Sequence, residues 1–306
     1  MLRYLPGPVR GILSFLLYVL NTIFWCTPLF FVTFLKLIIP VNRWQRVCRV
    51  VLIGIANNWI AVNIFNHWFF NRTTWDVTGL EDLKRYERYM ILANHQTWVD
   101  ILVLQKIFHR KIPFLKFFIK KELIWLPVLG QAWWAMDFPF MKRYSRAFLA
   151  KNPHLKGKDL ETTRKACEKF KTIPVSIMNF VEGTRFTPKK HRAQESPHTN
   201  LLKPKAGGTA FVFHAMGEQI HRILDVTIAY PEGSVNFWSF LCGKVKKIQV
   251  RVKAYPLNKE LLGDYFNDPE YRERFHQWLN GLWEEKDRQL ENLLYSRALP
   301  SGNTSQ

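Results

Sequence analysis

The sequence predicts an α/β domain, a mixed and mostly parallel sheet flanked by helices, preceded by an N-terminal helical membrane hairpin. Three observations predict it. Short apolar runs bounded by turn residues alternate with helix-patterned stretches between residues 75 and 256, the order expected of strands joined by crossover helices. Before them, two long apolar stretches fill residues 11–40 and 50–70, and no acidic residue precedes Asp76. After them, Asp268-Pro269 reads as an N-cap followed by proline at the first helical position, opening an amphipathic helix to about Leu294. The expected division is therefore 1–74 for the hairpin, 75–256 for the α/β domain, and 257–306 for the C-terminal helix with a polar, disordered tail.

The run from Gly11 to Pro40 exceeds the roughly 20 residues that a spanning helix needs. Thr27-Pro28 inside it predicts a bend. Arg3 and Arg10 precede the run, and Arg43, Arg46 and Arg49 follow it. Positive charge on both flanks does not favour a clean crossing. A hairpin dipping into one leaflet and two true spans both fit. The run is too long for a cleaved signal peptide and closes on no small-residue cleavage site. The competing reading is a soluble hairpin buried in the core.

Composition sets further bounds. The 306 residues carry 44 Lys and Arg against 24 Asp and Glu, a net charge of +20, and 48% of them are hydrophobic, with 12 Trp and 24 Phe. A basic, aromatic-rich chain suits either nucleic acid or an anionic membrane surface. The four cysteines, Cys26, Cys48, Cys167 and Cys242, include no Cys-x-x-Cys pair. Neither a zinc site nor a disulfide framework is indicated.

In the domain itself, Trp75–Gly79 alternates like a short strand and Glu81–Arg88 is charged and helical in pattern. Met90–Ala93 is a buried strand; a helix with Trp98, Ile101, Leu102, Leu104 and Phe108 follows. Ile112–Gly130 is apolar with Lys116, Lys120, Lys121 and Glu122 interspersed, a pattern open to a surface helix, a groove wall or plain core. Residues 151–171 read as a charged amphipathic helix. Pro174–Val181 is a buried strand ending at Glu182-Gly183-Thr184-Arg185, and Pro188–Pro204 a loop. Ile223–Ala229 and Ile248–Ala254 are further strands. Sites in such sheets gather at the carboxyl ends of strands.

The candidate chemistry starts at Asn94-His95-Gln96-Thr97-Trp98-Val99-Asp100. His95 sits where strand gives way to helix, and Asp100 lies in the helix's first turns. A carboxylate there can reach back to one imidazole nitrogen while the other faces a cleft, which fixes the tautomer and favours general-base action. A second reading makes Thr97 an N-cap with Asp100 as its N3 acid. Residues 141–210 hold 16 Lys and Arg against five Asp and Glu. Within that span Arg143 and Arg185 sit at element ends, where a guanidinium fork can grip phosphate. Gly183 would permit the turn that aims Arg185.

Taken together, these stretches resemble the glycerolipid acyltransferases that include the bacterial 1-acylglycerol-3-phosphate acyltransferases. The likeness rests on His95-x-x-x-x-Asp100, Lys121-Glu122-Leu123 with Pro127 and Gly130, Phe140-Met141-Lys142-Arg143, and Phe180-Val181-Glu182-Gly183-Thr184-Arg185, in family order over about residues 75–230. It is greatest to enterobacterial inner-membrane members and their animal relatives. The resemblance implies that His95 takes the proton from the free hydroxyl of a lysophospholipid. Asp100 would orient the imidazole, and Arg143 with Glu182, Gly183, Thr184 and Arg185 would hold the acceptor's glycerol phosphate. It implies acyl-CoA or acyl carrier protein as donor, no cofactor, no metal, the lipid bilayer as partner, and a catalytic domain facing the cytoplasm. The resemblance further implies that the hydroxyl attacks the thioester directly; no enzyme nucleophile is then needed, and none is apparent, since Ser176 and Thr184 lack a nucleophile-elbow context. Backbone amides near Thr97 are candidate oxyanion donors. One departure stands out: the fourth family block usually has a proline inside an apolar strand, where this chain has Leu224-Asp225-Val226-Thr227-Ile228-Ala229-Tyr230-Pro231. That difference bears on the preferred acyl chain and acceptor.

Two other classes remain open at this level. A hydrolase would use the same His95–Asp100 pair to activate water on a lipid ester. A basic nucleic-acid-binding protein would use the +20 charge, but no nucleic-acid motif is visible, so no nucleic acid is expected.

Overall fold

The computed structural model describes residues 2–141, 174–233 and 235–295. Arg143, Cys167 and the expected helix over 151–171 lie outside the described residues. Two helices, α1 (Gly7–Ile38) and α2 (Asn42–Phe70), form the N-terminal hairpin. The strands are β1 (Thr74–Thr78), β2 (Tyr89–Ala93), β3 (Leu115–Phe117), β4 (Ile119–Lys120), β5 (Phe140–Met141), β6 (Ser176–Phe180), β7 (Arg222–Ala229) and β8 (Lys247–Pro256). The remaining α-helices are α3 (Val99–Phe108), α4 (Leu129–Ala135), α5 (Pro188–Gln194), α6 (Ala206–Met216), α7 (Phe237–Leu241) and α8 (Pro269–Tyr295).

Six strands form one sheet in the order β1-β8-β7-β2-β6-β3. Its pairings are parallel except β7 with β8. The mixed, mostly parallel sheet expected from the sequence is therefore present. β4 and β5 make a separate parallel pair. β2 is completely buried, with Tyr89 to Ala93 all at 0% exposure, as a central strand covered on both faces requires. Its odd residues Tyr89, Ile91 and Ala93 join Val103, Leu104 and Ile107 of α3 in one core. Its even residues Met90 and Leu92 join α6 and the Phe275, Leu279 and Trp283 face of α8 in the other. The C-terminal helix thus belongs to the same core as the sheet. Asp268 caps it, its Oδ1 accepting from the Tyr271 amide at 3.0 Å.

The hairpin is built inside out relative to a soluble core. Ser14, Asn21, Asn63 and Asn66 are buried between the helices. Ser14 and Asn66 exchange two hydrogen bonds of 3.0 Å, and Asn21 Nδ2 donates to Asn63 Oδ1 at 2.8 Å. Ile12, Phe15, Leu20, Phe24, Phe31 and Phe34 face outward. Of the most apolar 18-residue window in each helix, only 22% and 33% is buried. A hairpin serving as a soluble core helix pair would bury those positions; polar seams with apolar exteriors suit helices whose surroundings are lipid. By length and composition both helices can cross a membrane.

Several local expectations change. Pro28 lies within a continuous helix, and the chain reverses instead at residues 39–41. The Thr22 and Thr33 hydroxyls bond carbonyls one turn back at 2.7 Å and Thr27 does so at 3.1 Å, local contacts that α1 tolerates without breaking. Residues 81–88 form turns instead of a helix. So short a charged stretch buries no apolar stripe, and its Lys84 amide is taken by the Tyr89 hydroxyl at 2.8 Å. Residues 112–130 give β3, β4 and a 3-10 turn (Lys121–Trp125), not one long helix. That turn packs so closely on α4 that a β-carbon at Gly130 would collide with the Leu123 and Ile124 carbonyls. The loop expected after Pro188 contains α5, which Thr187 caps by accepting from the Lys190 amide.

Asp225 has a structural explanation. It lies on the α8 face of β7 and forms a 2.6 Å ion pair with Lys286, both essentially unexposed. Lys286 also donates to the Val226 carbonyl at 2.7 Å. Burial pushes the Asp225 carboxyl up and the Lys286 amine down, and each opposes the shift of the other. Lys286→Ala is expected to destabilise the protein by about 3–5 kcal/mol, because it leaves a buried charge unpaired. The double change Asp225→Leu with Lys286→Met should recover most of that loss. Thermal unfolding in neutral detergent measures both.

Candidate active site

β2, β6 and β7 run parallel and in register, with Ala93 beside Phe180 and Val226. Their carboxyl ends deliver His95, Glu182 and Tyr230 to one edge of the sheet. The turn after β2 is pinned first. Asn94, fully buried, donates to the Ile228 carbonyl at 2.9 Å and accepts from the Ile228 amide at 2.8 Å. Gln96 Nε2 donates to the same carbonyl at 2.9 Å.

Asp100, at 0% exposure, organises the rest. Its Oδ2 accepts from the Gln96 amide at 2.6 Å and the Thr97 amide at 2.8 Å, and lies 2.9 Å from His95 Nδ1. Its Oδ1 accepts from the Tyr230 hydroxyl at 2.7 Å. A carboxylate already accepting from two amides has only acceptor capacity to offer His95, so Nδ1 carries the proton and Nε2 is left as the basic nitrogen. No partner holds Nε2 among the described residues. The imidazole is stacked on Phe180 at 3.8 Å between centroids and 9° between planes, and its side chain is 13% exposed. The helix opens at Val99 with Trp98 as its N-cap and no side-chain cap, so Thr97 is not the N-cap; the Asp100 oxygen that reaches His95 instead holds the amides of the turn before α3. The amides of Gln96 and Thr97 are thereby consumed, which removes them as the oxyanion donors expected near Thr97.

Glu182 corrects another expectation. Expected against the acceptor phosphate, it is fully buried. Its Oε1 accepts from the His95 amide at 2.7 Å and its Oε2 from the Leu202 amide at 3.0 Å. It holds the histidine's backbone and touches no solvent. Burial pushes its carboxyl up to about 7, reinforced by the Asp100 charge and opposed by the two amides and Lys286. Gly183, at φ 68°, makes the turn that a β-carbon would strain. Thr184 Oγ1 accepts from Lys190 Nζ at 2.7 Å. Arg185 is exposed, its guanidinium carbon 5.0 Å from the centroid of the Trp98 ring, itself 55% exposed. Arg185 thus stands at the mouth while Glu182 stands behind the site.

Among the described residues no enzyme nucleophile is positioned beside His95. Ser176 is buried at the opposite, amino end of β6, and the Thr184 hydroxyl faces Lys190. Among the described residues no group of three or more His, Cys, Asp or Glu is placed to hold a metal. A base with a free nitrogen and no nucleophile of its own suits direct deprotonation of a bound hydroxyl.

A family model described as Acyltransferase matches residues 74–231, just over half of the chain. The chain belongs to the acyltransferase family. Among curated relatives, mouse 1-acyl-sn-glycerol-3-phosphate acyltransferase epsilon is 23% identical over 279 residues, covering 84% of this chain and 70% of the relative. The Brassica oleracea 1-acyl-sn-glycerol-3-phosphate acyltransferase 2 is 25% identical over 280 residues, covering 85% and 65%. The chain thus spans about two thirds of these relatives. The crystal structure of the 1-acyl-sn-glycerophosphate (LPA) acyltransferase PlsC from Thermotoga maritima superposes with a TM-score of 0.52 at 15% identity. It covers 94% of this chain and 98% of that one. The share left uncovered is shorter than either N-terminal helix, so the superposition reaches into both helices of this acyltransferase-family chain.

Tyr230 was not among the expected site residues, although it closes the fourth family block. Tyr230→Phe removes one of the four donors to buried Asp100 and should cost about 1–3 kcal/mol of stability. Glu182 sets a pH dependence. Its carboxyl is raised in the folded protein above its unfolded value, so the protonated form favours folding. Stability from this group is full below about pH 4.5 and is lost as pH rises towards 7, by on the order of 3 kcal/mol. The gap in melting temperature between the wild type and Glu182→Gln should narrow over that range; a constant gap would refute the assignment.

Proposed function

We propose that this chain transfers a fatty acyl group from an acyl thioester to the free hydroxyl of a lysophospholipid, with 1-acylglycerol-3-phosphate as acceptor and phosphatidic acid as product. The observation that carries this reading is His95, locked through Nδ1 to Asp100, with Nε2 unpartnered and no nucleophile beside it among the described residues. The acceptor hydroxyl gives its proton to Nε2 as its oxygen attacks the thioester carbonyl. The tetrahedral intermediate collapses, the C–S bond breaks, and the imidazolium returns the proton to the departing thiolate. Asp100 stabilises the imidazolium while remaining ionised itself. Each ester formed consumes one thioester and releases one thiol, so charge and protons balance without a cofactor.

The acceptor's phosphate is assigned to Arg185 with Arg143, while Thr184 and Gly183 shape the turn. Glu182 acts from behind, by fixing the His95 backbone. The donor is acyl-CoA or acyl carrier protein. The hairpin's lipid-compatible exterior, cationic flanks and freedom from acidic residues support placing residues 1–74 in the bilayer. That leaves residues 75–256 at its surface, with the helix that follows packed on the sheet. There a lipid acceptor reaches the site without being drawn into water. By likeness to enterobacterial members, the membrane is the bacterial inner membrane and the site faces the cytoplasm.

The purified protein, lysophosphatidic acid and a panel of acyl donors, read by lipid mass spectrometry, test this reading. Phosphatidic acid and free thiol should appear in equal amounts. Free fatty acid in place of phosphatidic acid would mean that water takes the acceptor's position. His95→Ala should lower turnover by about 10² or more. Arg185→Ala should weaken use of the phosphate-bearing acceptor by roughly 1.5–3 kcal/mol and leave the donor's KM unchanged; an equal loss towards both substrates would place Arg185 in the fold alone.

A further inference from the structure

A cleft of about 280 Å³, counting its open mouth, lies between the hairpin and the β1 edge of the sheet. α1 and α2 contribute Tyr18, Ile60 and Asn63, β1 contributes Trp75, and α3 contributes Gln105 and Lys106. Two strands, β8 and β7, separate β1 from β2, so this cleft is distinct from the site around His95.

Three of its polar groups, on Lys106, Asn63 and Gln105, have no hydrogen-bond partner among the described residues. Lys106 Nζ lies 3.7 Å from the centroid of the Trp75 ring. Neither a carboxylate nor any hydrogen-bond acceptor meets this ammonium among the described residues. Burial alone pulls its pKa down to about 8. Asn63 is 4% exposed, its Oδ1 occupied by Asn21, and its Nδ2 has no partner. Gln105 Oε1 is also buried and unpartnered; a half-turn of that amide presents a donor in its place. A buried amide without an acceptor, beside a half-buried ammonium with no carboxylate partner, costs free energy unless something supplies oxygen. Water would satisfy the amide and solvate the half-buried ammonium, but it brings no counter-charge. A phosphate oxygen satisfies both.

Lipid is favoured over free phosphate by what surrounds these groups. The walls are Tyr18, Ile60, Trp75 and Phe240, and the hairpin beside them exposes Phe15, Val19, Phe65 and Trp68. A free phosphate would shed its hydration into an apolar cleft with a single cation, whereas a phospholipid brings chains for the apolar exterior.

We propose that this cleft binds the phosphodiester head of an anionic phospholipid, with Lys106 Nζ and Asn63 Nδ2 donating to its oxygens and its chains lying along α1 and α2. The bound lipid ties the hairpin to the domain at a place remote from the reacting atoms. The proposal does not depend on which acyl transfer the chain performs, because binding itself is measured.

The test is native mass spectrometry and thermal unfolding of the full chain in neutral detergent. Dioleoyl phosphatidylglycerol, dioleoyl phosphatidylcholine and inorganic phosphate are titrated separately. Phosphatidylglycerol should give a one-to-one adduct and raise the melting temperature, and phosphatidylcholine should do so more weakly. Lys106→Met, which keeps the apolar stem on Trp75, should weaken phosphatidylglycerol binding by about tenfold. Asn63→Asp keeps the acceptor for Asn21 but supplies Lys106 with its own carboxylate, and should abolish the preference for the anionic lipid. Turnover of detergent-dispersed substrate by Lys106→Met should match the wild type. Equal affinity for the two lipids, or unchanged phosphatidylglycerol binding in both variants, would overturn the proposal. Stabilisation by inorganic phosphate equal to that by phosphatidylglycerol would mean a free-anion site and overturn the lipid assignment.

Discussion

The active end of this molecule depends on one buried carboxylate. Asp100 has no exposure and four donors around it: His95 Nδ1, the Gln96 and Thr97 amides, and the Tyr230 hydroxyl. A carboxylate so enclosed is tolerable only because its acceptor sites are filled. The requirement acts in both directions. The amides must point inward, which folds residues 94–98 into the turn that presents His95. The Tyr230 hydroxyl must arrive from β7, which demands that β2 and β7 pair in the register seen. The orientation of the imidazole is therefore a by-product of satisfying an acid, and the sheet supplies the parts.

A second buried acid does different work. Glu182 meets two amides, one of them from His95, but burial and its acidic neighbour push it up to about 7. Asp100 lies with the donors that a carboxylate needs; Glu182 lies near balance. The indirect support behind Glu182 comes from α8, where Trp283 Nε1 donates to the Leu202 carbonyl at 3.0 Å and so steadies the residue whose amide holds Oε2. The helix that closes the chain thereby contributes to the position of His95 without approaching it.

Much of this was legible in the sequence because it is local or periodic. The His95–Asp100 spacing, the buried strands around Met90, Ile177 and Ile223, and the Asp268-Pro269 helix start are all short-range signals. What escaped is what needs the third dimension. Tyr230 lies 130 positions from its partner Asp100, and no spacing rule connects them. Glu182 was placed on the substrate by the family resemblance; it turns inward because the His95 and Leu202 amides wait there. Asp225 read as a departure that would reshape the lipid site. Its partner Lys286 sits on a helix whose packing face was visible but whose docking position was not, and the pair braces β7 against α8. Residues 81–88 failed for the reverse reason, since a helical charge pattern without an apolar stripe has nothing to pack.

The contacts of the two N-terminal helices show that they pack with the α/β domain as one body. Their buried positions do not pack on each other alone. Gly11 lies so close to Cys242 and Trp238 that a β-carbon would clash. Tyr18 belongs to the same core cluster as β2 and α3. Lys36, near the end of α1, pairs with Asp137 just beyond α4 at 2.8 Å, and Arg49 of α2 joins it at 3.3 Å. These contacts occur near both ends of α1 and through its middle, so the helix lies along the domain instead of standing away from it on a stalk. Deleting residues 1–70 would strip Tyr18 from the core and leave Asp137 without Lys36 and Arg49. It would also open the cleft at Lys106 to water. A truncated domain would thus change the fold's own interior, and lost activity in such a fragment would report on packing as much as on the loss of the two apolar helices.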